Sequence, residues 1–205
     1  MKKSTVILCL MAMAFAFALS GSANASFIDN LDGTITDNDS GLVWLKDASC
    51  AGLAGTDSSG TGNWFIATAA AAVCGDGTCG LTDGSEPGDW RLPTNAEWLS
   101  LFNAAYQAPA LDNTVGDAQW SEGDPFVGVQ STHYWSGTEY DSDDAWFADV
   151  SVGNIHSVPQ SKGGNSVYIW PVRNGDTAPV PLPPSWLLFA SGLVAWAGLR
   201  KLKKK

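Results

Sequence analysis

Basic side chains are scarce through the middle of this chain. Between residues 26 and 176, all 21 acidic residues of the sequence are opposed by only four basic ones, which gives a net charge of −17. The net charge of −10 for the whole sequence conceals this imbalance, because the other seven basic residues lie near the two ends. So acidic a region repels nucleic acid, anionic lipid and sulfated polysaccharide at low salt, and leaves cations and neutral or basic partners as ligands. The simplest role of the charge is solubility.

The first 25 residues are predicted to be a signal peptide. Lys2 and Lys3 form a positive n-region, residues 6–19 form an apolar h-region, and Ala23-Asn24-Ala25 is an A-x-A cleavage pattern. We expect cleavage before Ser26 and therefore an exported mature protein.

The C-terminal residues predict a membrane anchor. A proline-rich spacer, residues 177–185, leads to an uncharged apolar segment, Trp186 to Leu199, and to a basic end, Arg200 to Lys205. As a helix, this segment would rise about 21 Å against a hydrocarbon core of roughly 30 Å. The Arg200 side chain can extend towards the aqueous interface, and Trp186 can lie at the opposite interface. Both arrangements make up part of the missing length. The basic end should stay cytoplasmic, with residues 26–176 outside.

The sequence VPLPPSWLLFASGLVAWAGLRKLKKK resembles a PEP-CTERM sorting signal over its whole length. It departs from that pattern at Val180-Pro181-Leu182-Pro183, where no glutamate stands between the prolines. The resemblance implies recognition by an exosortase, a membrane protease that would remove the helix. We therefore expect the protein on the outer surface or periplasmic side, anchored in the membrane by the C-terminal helix before processing.

Cysteine and histidine are too few and too dispersed for a zinc centre. Cys9 leaves with the signal peptide, so Cys50, Cys74 and Cys79 remain. Cys74 and Cys79 have no second pair, and both histidines lie far from them in the sequence. In an oxidising compartment we expect one disulfide and one free thiol, and the count alone allows three pairings.

Turn signals predict short strands at the start of the domain. Thr34-Ile35-Thr36 follows Asp32-Gly33, and a second turn leads to a buried strand at Leu42–Leu45. The run Asp37-x-Asp39-x-Gly41 is slightly similar to a calcium loop, but it lacks the later ligands of an EF-hand, which favours a plain turn.

Two helices are predicted next. Residues 63–73 are alanine-rich, with Asn63 as the N-cap. Thr94 and Glu97 form a T-x-x-E capping box. The apolar stripe of that second helix is Trp98, Leu101, Phe102 and Ala105. Arg91, just before the helix, is expected to form a structural salt bridge rather than to contact a ligand.

Strands are predicted over residues 133–139, 145–150 and 167–173, with an acidic turn at residues 141–144. Early helices followed by a late antiparallel meander are typical of the α+β class. Eight tryptophans lie in the domain. We expect most of them in the core and a few at the surface as platforms for sugar rings.

Four ordered segments carry a family resemblance: NLDGTITDNDSGLVWLKDASC, CGLTDGSEPGDWRLPTNAEWLSL, YWSGTEY with AWFADVSVG, and IWPVRNG. They resemble the Lcl C-terminal domain family over residues 27–174. RLPTNAEW is also similar to formylglycine-generating enzymes. The resemblance implies a C-type-lectin-like fold, with two helices, a loop-rich antiparallel sheet, and early and late strands that pair. It also implies a Cys50–Cys79 disulfide, with Cys74 left free.

The expected function is a non-catalytic binding or adhesion module for glycan or exopolysaccharide matrix. Formylglycine chemistry needs a late cysteine pair, and no cysteine follows Cys79. A serine hydrolase of the G-x-S-x-G type is not indicated, since the motif is absent. The alternatives are a structural matrix protein without a specific ligand, and an acid-pair glycosidase, since 21 acids always offer some pair.

The acidic turn and the rings around it are the predicted site. Oxygen-rich turns suit Ca²⁺, although a solvated turn is the simpler interpretation. The candidate metal ligands are Asp141, Asp143 and Asp144, and the candidate ligand-stacking rings are Trp135, Tyr140 and Trp146.

Overall fold

The first and last strands of the domain share one sheet. The computed structural model describes residues 26–175. The first sheet has the order β1, β2, β3, β10, with all neighbours antiparallel. Its strands are β1 (Phe27–Asp29), β2 (Thr34–Asp37), β3 (Leu42–Leu45) and β10 (Val172–Asn174). The early strands predicted from turn signals are confirmed.

The turn between β1 and β2 requires its glycine. Gly33 has φ +88°, and a Cβ there would lie 2.6 Å from the carbonyl oxygen of Gly80. The next turn is a plain one, as predicted. Asp37 Oδ1 accepts hydrogen bonds from the N–H groups of Asp39 and Ser40.

The second sheet is formed mostly by strands from the late half of the chain. Its order is β4, β9, β5, β6, β7, with β8 beside β6. Its strands are β4 (Thr61–Gly62), β5 (His133–Glu139), β6 (Asp144–Asp149), β7 (Asn154–Ile155), β8 (Gln160–Ser161) and β9 (Val167–Tyr168). The predicted hairpin is confirmed to within one residue. The sheet is not purely antiparallel, because β9 pairs in parallel with β5.

The predicted last strand is divided between the two sheets. β9 belongs to the second sheet and β10 to the first, and residues 169–171 cross between them. Pro171 has no N–H to donate to a ladder, while the buried Trp170 anchors the crossing through its Nε1, which donates to Leu45 O at 2.7 Å. The apolar run Val167–Arg173 did not reveal this break, because both halves have the composition of buried strands.

Both predicted helices form with the predicted caps. Helix α1 (Trp64–Val73) starts where the Asn63 side chain accepts from the Ile66 N–H at 3.0 Å. Helix α2 (Asn95–Leu101) has the full capping box of Thr94 and Glu97.

Helix α2 ends earlier than its apolar stripe suggested. Phe102 already has an extended backbone. Asn103 then forms its own turn, in which its side chain accepts from the Ala105 N–H and its N–H donates to Ala110 O. Ala105 is therefore exposed and outside the helix.

Replacing Thr94 with alanine should lower the free energy of unfolding by about 1 kcal/mol, because the N–H of Glu97 loses its acceptor. Chemical denaturation measures the change. Thr94→Ser retains the hydroxyl and should stay within a few tenths of a kcal/mol of the parent. An unchanged midpoint for Thr94→Ala would contradict a stabilising cap here.

Arg91 forms the structural salt bridge that the sequence predicted. Its guanidinium donates to both carboxylate oxygens of Glu97 at 2.6 and 2.7 Å, and to Asn174 Oδ1 at 3.0 Å. Burial raises the pKa of Glu97, but hydrogen bonds from Arg91 and from the Thr94 N–H outweigh it and lower the pKa below its usual value. This bridge joins the start of α2 to the last strand.

Tryptophan dominates the core. Five of the eight tryptophans in the domain are fully buried, and their contacts link helix α2 to both sheets. The buried ones are Trp44, Trp90, Trp98, Trp135 and Trp170. The expectation that most tryptophans form the core is confirmed.

The Cys50–Cys79 disulfide is confirmed, with Cα atoms 5.7 Å apart. Cys74 is a free, buried thiol. Burial, and then the charge of Asp83, raise the pKa of Cys74 to about 11, so this thiol stays protonated and unreactive at neutral pH.

The domain is thus α+β, with two helices and two sheets. Neither helix in residues 26–175 is long and apolar enough to cross a membrane. The predicted signal peptide, spacer and anchor lie outside the described residues.

Candidate functional site

The acidic turn is held in one conformation by its own backbone. Asp141 Oδ1 accepts from the N–H groups of Asp143 and Asp144 at 2.9 and 2.8 Å, and the N–H of Tyr140 donates to Asp144 O. These N–H groups hold the pKa of Asp141 below its usual range. Asp141 is therefore charged at neutral pH.

Lys162 contacts this turn through its side-chain ammonium. Its side chain is 3% exposed, and its Nζ donates to Glu139 Oε2 at 2.6 Å, to Asp141 O at 2.6 Å and to Ser142 O at 3.2 Å. The ammonium also lies 4.9 Å from the centre of the Trp64 ring. Lys162 thus joins the hairpin of β5 and β6 to helix α1.

Lys162 was not singled out from the sequence. The available signal was its rarity, because Lys162 is one of only four basic residues in this acidic domain. Each of the four basic residues in the described part of the chain pairs with a carboxylate, so none is left to attract an anion. The pairs are Lys46–Asp29, Arg91–Glu97, Lys162–Glu139 and Arg173–Asp83.

The geometry gives no support to a metal site at Asp141, Asp143 and Asp144. Within residues 26–175 there is no group of three or more acidic, histidine or cysteine side chains placed to hold a metal ion. The cation observed at this turn is the Lys162 ammonium. Calcium binding by these three carboxylates stays a prediction.

Two of the three predicted rings come together at the surface. Tyr140 is 57% exposed, and its ring meets that of the partly buried Trp146 edge to face, with centroids 5.2 Å apart. Trp146 lies on the opposite face of β6 from the buried Ala145 and Phe147, because side chains alternate along a strand.

Trp135 does not belong to this surface. It is fully buried, pairs across the sheet with Phe147, and donates from Nε1 to Gly62 O at 2.8 Å. The expectation that Trp135 stacks on a ligand is corrected, because no face of its ring is accessible.

A polar cleft opens beside the loop that carries Lys162. Its volume is about 310 Å³. It is lined by Gly55, Asp57, Thr61, Gly62, Asn63, Ile66, Gly163, Gly164, Asn165 and Ser166. Since Lys162 N donates to Asp143 O at 2.8 Å, one loop borders both the acidic turn and the cleft. No local sequence pattern indicated the cleft, because its walls come from two distant parts of the chain.

The two histidines of the chain also lie together. The rings of His133 and His156 have centroids 5.4 Å apart, and both rings contact Phe147. His133 Nε2 lies 3.6 Å from Asp149 Oδ2. From the sequence, the two histidines were known only to lie far from the cysteines along the chain. Their contact with each other was not predicted.

Changing Lys162 to methionine should destabilise the domain by about 2 kcal/mol, since a buried ammonium loses three hydrogen bonds to oxygen. The cost stays moderate because Glu139, which is 58% exposed, can be rehydrated. Urea denaturation measures the loss, and faster hydrogen exchange at residues 140–144 would locate it.

The matched control is Lys46→Met. Lys46 and Asp29 are both about 30% exposed, so their ion pair should contribute less than about 1 kcal/mol. Equal losses for the two variants would show that Lys162 has no special part in holding the turn.

The family model of the Lcl C-terminal domain matches residues 33–173. No curated protein matches the chain.

Proposed function

This chain belongs to the Lcl C-terminal domain family, and from that membership and the exposed site we propose that it is an exported, non-catalytic module that binds glycan in an extracellular matrix. Membership itself suggests only an extracellular module with a possible relation to carbohydrate. The ligand-binding surface, the lack of catalysis and the location are our proposals.

The pair of the exposed Tyr140 and the partly buried Trp146 is the observation that carries the proposal. Aromatic side chains offer a large apolar face together with a polar edge, a combination suited to sugar rings. The pair stands on a hairpin that Lys162 and the Asp141 turn hold rigid, so little conformational entropy would be lost on binding. The surrounding negative charge favours neutral or basic glycans over sulfated ones.

Further features support this assignment. The pairing of β10 with β3 and the loop-rich second sheet are consistent with a C-type-lectin-like scaffold that displays loops. A disulfide suits an oxidising, extracytoplasmic compartment. The free thiol in the described part of the chain is buried and protonated, which argues against thiol chemistry.

Glycan binding is tested with the full-length chain in mild detergent on a broad glycan array, with and without Ca²⁺. Tyr140→Ala/Trp146→Ala should weaken binding about tenfold, because two stacking rings are lost. Phe65→Ala is the control, since Phe65 is equally exposed at 57% but lies on helix α1. If the parent binds no glycan under any ionic condition, a structural matrix protein without a specific ligand replaces this proposal.

We also propose that the chain is held in a membrane by residues 186–205, with an exosortase-type protease as its processing partner. Deleting residues 186–205 should release the acidic domain to the periplasm or medium, because the apolar segment is the anchor. Cell fractionation and mass spectrometry of the C-terminus give the readout. Intact full-length chain in the cytosol would contradict export.

A further inference from the structure

The polar cleft is built from fixed hydrogen-bonding groups. Asp57 Oδ1 accepts from the N–H groups of Ser59 and Thr61 at 2.9 and 3.0 Å, and Asp57 Oδ2 accepts from the Thr61 hydroxyl at 2.7 Å. Thr61 Oγ1 also lies 2.6 Å from Ser166 Oγ. A carboxylate and two hydroxyls are therefore held in place before any ligand arrives.

The Asp57 carboxylate keeps its charge. The Thr61 hydroxyl, followed by the N–H groups of Thr61 and Ser59, holds the pKa of Asp57 below its usual range. A carboxylate with further lone pairs is a strong acceptor for hydroxyl donors.

The lining excludes anionic ligands. None of the ten lining residues is basic. Lys162 precedes the lining residue Gly163, but its ammonium is bound to Glu139, Asp141 and Ser142 at the acidic turn. Phosphate, sulfate and uronate groups would face a charged carboxylate with no compensating cation.

The lining also differs from a protein-binding surface. Tight protein interfaces rely on buried aromatic or arginine anchors. Here the lining contains neither, and Ile66 is its one large apolar side chain. The volume of about 310 Å³ lies at the small end of the range for small-molecule pockets, roughly 300–1,000 Å³.

We propose that this cleft binds one uncharged sugar unit through its hydroxyl groups. The sugar hydroxyls donate to the Asp57 carboxylate and exchange hydrogen bonds with the Thr61 and Ser166 hydroxyls, while Ile66 and the glycine walls accept the apolar face of the ring. This inference rests on the proposed glycan-binding function and names the class of sugar and a second contact surface. The loop of residues 162–166 lines the cleft and, through Lys162, contacts the acidic turn that follows Tyr140 in the chain.

Gly163 offers a way to alter the lining of the cleft without a steric clash. A Cβ added at Gly163 would meet no heavy atom within 4 Å, and its φ lies outside the left-handed region. Gly163→Leu therefore places a bulky side chain in open space at the wall of the cleft. Ser100→Leu is the control, because Ser100 is exposed on helix α2 and does not line the cleft.

The experiment is titration calorimetry on the full-length chain in mild detergent. The neutral probes are maltohexaose, cellohexaose and mannohexaose. Chitosan oligomers form the basic arm, and polygalacturonate oligomers and heparin form the anionic arm. Gly163→Leu should reduce affinity for the bound neutral probe by about tenfold or more, and Ser100→Leu should leave it unchanged. Thr61→Val keeps the shape, removes one hydroxyl and should cost about fivefold.

Each outcome decides between the two proposals. If the parent binds no probe of any arm, the proposed function fails and this inference fails with it. If the Tyr140→Ala/Trp146→Ala variant loses binding while Gly163→Leu and Thr61→Val keep it, the module stands and the cleft is refuted. Binding to the basic or anionic arm alone would refute the uncharged sugar class. Should Gly163→Leu not fold, Thr61→Val alone carries the test, and unchanged affinity overturns the proposal.

Discussion

Replacing Trp170 with alanine is expected to destabilise the domain by about 3–5 kcal/mol, the usual cost of removing a buried large aromatic side chain. Trp170 is fully buried, and its ring lies against four others, with centroid distances of 4.8–5.8 Å. Those rings belong to Trp44, Trp98, Phe126 and Tyr134. The side chain also supplies the Nε1 donor for Leu45 O.

This residue matters more than other core tryptophans because of where it lies. Trp170 occupies the crossing between the two sheets, so its loss leaves a cavity between β3 and helix α2 and removes the anchor of the crossing. Equilibrium unfolding in urea, followed by far-UV circular dichroism, measures the loss. Trp170→Phe should give an intermediate loss, and it keeps the test meaningful if the alanine variant does not fold.

The matched control is Trp146→Ala, which removes the same side chain from a surface position. Its effect on unfolding should stay below about 1 kcal/mol, because the ring is partly solvated and packs mainly on Tyr140. Losses of equal size for Trp170 and Trp146 would contradict the central position of Trp170.

The double variant Cys50→Ser/Cys79→Ser should lose about 3–4 kcal/mol of stability. The bond joins residues separated by 29 positions, and its removal returns the entropy of that loop to the unfolded chain. Thermal unfolding with and without dithiothreitol gives the readout. The reductant should lower the melting temperature of the parent and leave that of the double variant unchanged.

Cys74→Ala separates the disulfide from the free thiol. The variant lacks a buried thiol but retains the Cys50–Cys79 bond, so it should respond to dithiothreitol as the parent does. Sensitivity to the reductant that disappears with Cys74→Ala would contradict the observed pairing.

Features that depend on near neighbours in the chain were readable from the sequence. The Asn63 cap, the Thr94–Glu97 capping box and the turn at Asp37 each join atoms within four positions, so the residue types at fixed offsets define them. The early strands and the β5–β6 hairpin followed from turn residues that bracket apolar runs. The number of cysteines allowed three pairings and did not decide between them. The resemblance to the Lcl C-terminal domain family implied the Cys50–Cys79 bond.

Features that depend on distant partners were decided by the tertiary structure. Trp135 and Trp146 look alike in the sequence, yet strand alternation and the register with Phe147 bury the first completely and leave the second partly exposed. The division of the last strand depends on Leu45, which lies 125 positions before Trp170. Similarly, the ammonium of Lys162 binds backbone oxygens of the acidic turn, and the walls of the cleft come from parts of the chain about a hundred positions apart that β4 and β9 bring together.

By itself, the sequence determined the class of the domain, its acidic surface, its helix caps and its family, since composition and short-range hydrogen bonding carry that information. The tertiary structure decided which rings face solvent, which oxygens the Lys162 ammonium binds, and where a polar cleft opens. The physical reason is that burial and pairing are set by side chains far apart in the chain, whose contacts form only when the two sheets and two helices pack together.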